Sequence, residues 1–428
     1  MKYKSFRSII PKRITNYKSK NKFKSNKKGK NFYRKGINIK IIYLKTIIKI
    51  FLVFYFLLCP YLMQINNYVY DLNRGKRKNN YDILETTVYE KFEKIKMKYY
   101  TDSLLKPFLD NINLLNYLYH IKIDKLKINK KNIHICMSFN DRYVYQILVS
   151  ITMVLENCDK NNTFITYHIL CNPDVKNTTL SILKSLIYKY YSNLEMIFYD
   201  MGNNFIDRNG PRLSQSAFYR LLAPIIIDID KIIYLDGDTI ILKDLNEMYQ
   251  LPFNDNYILG FLDVLSNGVD YLGIKSEKYI NSGVILLNLD KIRNDNKIYN
   301  IINITNSKMH LPGLDQTIIN YVFYPKIGIL PSKFGIWNFS DKKDIQIYLS
   351  HLRTKLDINE LEESLGNPSI IHNVLCVPKI FSNSSRYIEA LTTCNEKGNC
   401  SCEKYHNLWY YYANMTDYYE NISNLLNK

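Results

Sequence analysis

An Asp-Gly-Asp triplet, Asp236-Gly237-Asp238, closes the apolar run Ile232-Ile233-Tyr234-Leu235. Two carboxylates spaced i, i+2 point the same way on an extended backbone, and the glycine between them lets a ligand approach closely. Hard oxygen ligands of this kind suit Mg²⁺ or Mn²⁺, and such an ion would neutralise a diphosphate. An apolar run that ends abruptly in charge reads as a central strand delivering carboxylates to the edge of a sheet. In open α/β sheets that edge, at the strand C-termini, is where ligands bind. Asp-Gly-Asp is equally a good turn sequence. The triplet by itself leaves metal site and turn both open.

The elements that must carry such a triplet become regular from Asn132. Residues 133–139, 163–170, 194–199 and 257–262 read as strands, and residues 143–156 and 179–191 as helices. Alternating β and α units of this length predict an α/β fold with a largely parallel sheet and helices on both faces. No G-x-G-x-x-G or Walker loop follows the first strand, so dinucleotide and P-loop nucleotide binding lack support. An apolar strand running into Asp-x-Asp also marks haloacid-dehalogenase phosphatases. That motif calls for Thr or Val four residues after the first Asp, where this chain has Ile240, and it stands near the start of its domain, whereas here an α/β pattern precedes it.

The net charge of +19 suggests a nucleic-acid binder until it is located. Residues 1–49 hold 17 Lys and Arg and no Asp or Glu, which leaves 41 basic against 39 acidic groups in the rest. The excess is therefore a tail, too poor in apolar residues to fold, and the remainder is nearly neutral. Residues 50–70 follow without a single charge. Their length at about 1.5 Å rise per residue matches a bilayer core of about 30 Å. Lys40, Lys45 and Lys49 flank one side, and no basic residue follows Tyr70 before Arg74, which predicts a signal anchor with the tail cytoplasmic and the bulk of the chain lumenal. A cleaved signal peptide fits less well, because the basic stretch is very long and no small-x-small site follows Met63. Residues 71–130 read as a stem with a helical stretch at 81–99, and residues 131–428 as the folded domain, long enough for one large or two packed domains. Cys394, Cys400 and Cys402 in a polar loop read as a small disulfide-stapled excursion.

Six segments in order, HICMSFNDRYVYQILVSITMVLEN, SAFYRLLAPIIIDIDKIIYLDGDTIILKDL, YINSGVILLNLDKIR, LDQTIINYVF, LPSKFGIWNF and IIHNVLCVPK, make residues 132–380 resemble the retaining glycosyltransferases of family 8, which have the GT-A nucleotide-sugar fold. The resemblance implies that Asp236 and Asp238 bind a metal, with His372 as third protein ligand. It assigns Asn140, Asp141 and Tyr143 to the nucleotide, and Arg220 and Lys379 to the donor phosphates and sugar. It places Asn281, Asp315, Gln316 and Asp263 around the donor sugar and reaction centre, with Trp337 and Asn338 shaping the same pocket. The chain departs from the family after the histidine. The usual His-x-x-Gly-x-x-Lys-Pro-Trp becomes His372-Asn373-Val374-Leu375-Cys376-Val377-Pro378-Lys379-Ile380. Leucine thus stands at the glycine position, and proline and lysine are exchanged.

The reading from sequence is a retaining, Mn²⁺-dependent hexosyltransferase, with Mg²⁺ as the alternative ion. It would use a UDP-sugar donor and a hydroxyl acceptor on a glycan, glycoprotein or glycolipid. It would be anchored in the Golgi or endoplasmic reticulum membrane by one transmembrane helix, with no nucleic-acid partner. The alternative is a GT-A domain that binds a glycan or partner without transfer.

Overall fold

The period-two burial of the first long strand sets the layout. The computed structural model describes residues 90–115, 129–208, 215–263, 272–307, 313–337, 350, 358–372 and 401–426. Strand β2 (Lys131–Phe139) sends Ile133, Ile135, Met137 and Phe139 into one core and Cys136 into another on the opposite face, as alternation along a strand requires. The first core is closed by helices α1 (Val144–Asn157) and α2 (Asn177–Lys189). The second is closed by a 3₁₀ and α stretch at 215–226 and by α3 (Leu314–Phe323).

The main sheet has eight strands. They are β1 (Asn113–Leu114), β2, β3 (Thr163–Cys171), β4 (Leu194–Asp200), β5 (Lys231–Leu235), β7 (Ile258–Leu262), β8 (Ile280–Asn288) and β9 (Ile327–Ile329). Their order is β1-β4-β3-β2-β5-β8-β7-β9. A small second sheet runs β10 (Ile336–Trp337), β11 (Ile370–His372), β6 (Thr239–Ile241). In open α/β folds, ligands collect where the strand order reverses. Here β2 has the earlier β3 on one side and the later β5 on the other, and β5 carries the Asp-Gly-Asp triplet at its end.

Two expectations need correction. The sheet is mixed, because β8 lies antiparallel to both β5 and β7. Parallel neighbours need a crossover of a dozen or more residues, usually helical, and the βα alternation that supplies such crossovers holds through β4. Strand β8 instead enters after a short 3₁₀ turn, Ser276–Lys278. The domain boundary at 131 is also drawn too late. Asn113 and Leu114 pair with Asp200 and Tyr199 of β4, and Phe92, Leu105, Leu109 and Ile112 are buried in the second core. Their apolar spacing is interrupted by charges, which made the segment read as stem.

The anchor expected at 50–70 and the tail at 1–49 lie outside the described residues. Among the described residues, no helix is long and apolar enough to cross a membrane.

Candidate active site

Strand β5 ends at Leu235, and the backbone turns at once. Thr239 donates its N–H (3.3 Å) and its hydroxyl (2.8 Å) to the Asp236 carbonyl, and the Asp236 N–H is fixed on Gly283 O at 2.8 Å. The triplet is therefore a turn and a carboxylate pair together, and the extended geometry expected from i, i+2 spacing is not what aligns the two acids. The turn's second task is to start β6, which pairs antiparallel with β11 so that Thr239 faces His372. That register carries the imidazole to the acids. His372 Nε2 stands 3.2 Å from Asp238 Oδ1 and 3.9 Å from Asp236 Oδ2, and the ring is buried. One ligand atom from each of Asp236, Asp238 and His372 lies within 4.8 Å of the others.

The glycine that shapes this cluster is Gly283, not Gly237. A Cβ on Gly237 would meet Ile147 of α1 at 2.9 Å, so Gly237 serves helix packing. A Cβ on Gly283 would lie 2.2 Å from His372 Cε1 and 2.6 Å from Asp236 Oδ2, inside the cradle formed by the three side chains. A glycine within an apolar strand often marks close approach by another group, and Ile280-Asn281-Ser282-Gly283-Val284 carried that signal in the sequence. Two carboxylates and an imidazole around a cradle that a methyl group would fill fit a small divalent ion of the Mn²⁺ or Mg²⁺ kind. We expect Gly283→Ala to weaken Mn²⁺ binding by at least about tenfold, in line with losses when metal ligands are displaced, and to destabilise the fold by about 1–3 kcal/mol through overpacking. Calorimetric Mn²⁺ titration with a melting curve checks both.

Behind the carboxylates lies Arg220, buried in the 3₁₀ segment Gln215–Leu222. Its Nη2 donates to Asp236 Oδ1 at 2.9 Å, and its Nε sits 3.2 Å from Asp315 Oδ2. Its remaining partners include Ser282 O at 2.6 Å and Ala217 O at 2.9 Å. Burial pulls the guanidinium's pKa down, but Asp236, Tyr234 and Asp315 outweigh it and hold the pKa above the ordinary arginine value. The family resemblance places Arg220 near the donor. The structure shows it braced inside the protein, where it fixes one oxygen of Asp236.

Asp315 and Gln316 open α3 beneath β8. Gln316 accepts from the Ser282 N–H at 3.1 Å and donates to Asp263 Oδ2 at 2.8 Å. Asp315 accepts from Ser282 Oγ at 3.4 Å. Burial pushes the Asp315 carboxyl up to about 6, with Arg220 pulling it down. The 3.2 Å ion pair would on its own keep Asp315 ionised, but Arg220 is shared with Asp236 and burial prevails. Asn281 Oδ1 accepts from the Gly283 N–H at 2.9 Å, so its side chain braces the strand at the cradle. Asp263, Asn281, Asp315 and Gln316 thus form one network through Ser282 and Gly283, two residues the sequence reading did not single out.

At the end of β2, Asn140 Oδ1 caps the following turn by accepting from the Arg142 N–H at 3.0 Å. Asp141 faces α2, taking the Lys176 N–H at 3.1 Å with the Lys176 ammonium at 3.8 Å. Tyr143 is half exposed, as a ring that stacks on a ligand must be. Trp337 is buried beside His372, its partner in the β10–β11 ladder. Asn338, Lys379 and the departing loop after His372 lie outside the described residues, as do the side chains of Cys394, Cys400 and Cys402.

The family model for glycosyl transferase family 8 matches residues 134–373. The chain belongs to that family. A lipopolysaccharide 1,2-glucosyltransferase of Escherichia coli is 27% identical over 245 residues, covering 53% of this chain and 70% of that protein. Glycosyltransferase GlyE of Streptococcus pneumoniae is 21% identical over 205 residues, 45% of each chain. Among solved structures, the apo bifunctional glycosyltransferase WbbM superposes with a TM-score of 0.55 at 19% identity, over 69% of this chain and 51% of that one. It shares the fold. This glycosyltransferase spans only about half the length of GlyE and WbbM.

Proposed function

We propose that this glycosyltransferase moves a glucose- or galactose-type hexose from a UDP-sugar to a hydroxyl of a glycan or glycoconjugate, with retention at the anomeric carbon. The observation that carries the reading is the meeting of Asp236, Asp238 and His372 at the C-terminal edge of the sheet, around a cradle kept open by Gly283. Those three residues would hold Mn²⁺, with Mg²⁺ as the alternative. A divalent ion there offsets charge on the leaving diphosphate.

The chain's own groups do the rest by positioning. The exposed Tyr143 ring offers a face for the base, and stacking of this kind contributes about 1–3 kcal/mol. The Asn140 Nδ2 amide can donate to base or ribose, since its Oδ1 already caps the turn. Asp263 and Gln316, locked together at 2.8 Å, present polar groups to the sugar hydroxyls from the end of β7 and the start of α3. By the family resemblance, Lys379 would contact the diphosphate. No side chain here is assigned as a covalent nucleophile, so retention is read as same-face attack with the departing phosphate taking the acceptor's proton. Incubating the purified protein with a panel of nucleotide sugars and Mn²⁺ tests the donor. UDP-glucose or UDP-galactose should be consumed ahead of GDP- and CMP-sugars.

The charge-free segment 50–70 supports a single-pass anchor with the tail cytoplasmic and the transferase domain in the lumen of the Golgi or endoplasmic reticulum. Protease added to sealed microsomes should then remove only the basic tail. Digestion of residues 131–428 in intact vesicles would reverse the orientation.

A further inference from the structure

Asp236 is held from behind by more than its salt bridge. Tyr234, two residues earlier on β5 and fully buried, reaches Asp236 Oδ1 with its hydroxyl at 3.2 Å. The same hydroxyl lies 2.7 Å from Ser138 Oγ on β2. Strands β2 and β5 pair in parallel with Cys136 opposite Tyr234, so Ser138 rises beside the strand end that carries Asp236. The Arg220 guanidinium rests on the Tyr234 ring, 4.1 Å from its centroid.

The direction of these hydrogen bonds is fixed by chemistry. An ionised carboxylate only accepts, so the Tyr234 proton goes to Asp236, and Ser138 must donate its own proton to the Tyr234 oxygen. Ser138, Tyr234 and Asp236 form a one-way chain ending on Oδ1. With Arg220 Nη2 on the same oxygen at 2.9 Å, Oδ1 has two donors, and Oδ2 is the atom turned toward His372. Groups that orient a ligand in this way typically change metal affinity about 10–100-fold when removed.

We infer that Tyr234, directed by Ser138, is a positioning residue of the metal site, holding Asp236 so that Oδ2 faces the cradle. The inference rests on the metal-site reading above. Its role is to keep the carboxylate from rotating away from the cradle before an ion arrives. Tyr234 is a buried core aromatic on one side and a carboxylate brace on the other, and Tyr234→Phe separates the two roles because it keeps the ring.

The test is Mn²⁺ affinity of the purified full chain without donor, read by calorimetry or water-proton relaxation, with Asp238→Asn as the blank. Tyr234→Phe should bind Mn²⁺ about tenfold more weakly at a similar melting temperature. Ser138→Ala should bind several-fold more weakly. The double variant should match Tyr234→Phe alone, because Ser138 acts through the phenol. A parental Mn²⁺ affinity in folded Tyr234→Phe overturns the inference and leaves the metal site standing. Losses that multiply in the double variant overturn the chain from Ser138. If Tyr234→Phe does not fold, Ser138→Ala carries the test, and a parental affinity there overturns the inference. A parent whose Mn²⁺ binding equals the Asp238→Asn blank removes the metal site itself, and the inference with it.

Discussion

Asp238→Asn should reduce turnover by at least about a hundredfold at saturating donor while leaving the melting temperature within a few degrees of the parent. The side chain lies at a turn, 3.2 Å from His372 Nε2, so the substitution removes an anionic member of the proposed metal site without opening a core cavity. Losses on this scale accompany removal of a preorganised group that stabilises developing charge. Asp236→Asn should lose as much turnover but also cost stability, because Asp236 is a partner of buried Arg220 at 2.9 Å. Removing one partner of a buried pair leaves the other's desolvation unbalanced. Steady-state rates with matched melting curves check both. Turnover within a few-fold of the parent in folded Asp238→Asn would contradict the assignment.

Arg220→Met is expected to cost about 3–5 kcal/mol of stability, the range for breaking a buried ion pair from one side. The substitution strands Asp236 and Asp315 and unstacks Tyr234. The cost should depend on pH with a definite sign. Asp315 sits at about 6 in the fold, against roughly 3.9 in an unfolded chain, so the fold binds this proton more tightly. Its contribution is fully present below the unfolded value and is lost as pH rises through the folded one. Removing Arg220 takes away the cation that lowers this pKa, so the penalty should be larger at pH 8 than at pH 5. Denaturant unfolding at the two pH values measures it. An equal penalty at both would mean that Asp315 does not respond to Arg220.

Much of this could be read before any coordinates, and the reasons differ by residue. Strands β2, β3 and β4 and helices α1 and α2 fall within about two residues of their expected limits, because burial on both faces of a parallel sheet leaves long apolar runs broken by polar turns. The reversed β8 could not be read that way. A strand's direction is set by the path entering it, and an apolar run looks the same in either sense. Asp236 and Asp238 were legible as carboxylates at a strand end. Their alignment by a turn was not, since the triplet suits both conformations. His372 is separated from Asp238 by 134 residues, and only the family resemblance linked them. Gly283 signals a close approach by standing in an apolar strand, without showing what approaches, whereas Ser282, Tyr234 and Ser138 were missed for a common reason. Each acts on another protein group, so residue type alone gives no sign of it. Arg220 is a cation that the resemblance placed near the donor, and its two internal acids, Asp236 and Asp315, were not legible from sequence.

The central claim is that Asp236, Asp238 and His372 form a divalent-metal site on which sugar transfer depends. Its most direct measurement is turnover of the cleaved UDP-sugar by the intact protein after dialysis against EDTA, followed by titration with Mn²⁺. The account predicts that turnover vanishes in chelator and returns saturably with Mn²⁺ in the parent, and that Asp238→Asn regains none of it at the same Mn²⁺ concentrations. Full turnover in the presence of EDTA, or full recovery of Asp238→Asn along the parent's titration curve, would contradict it.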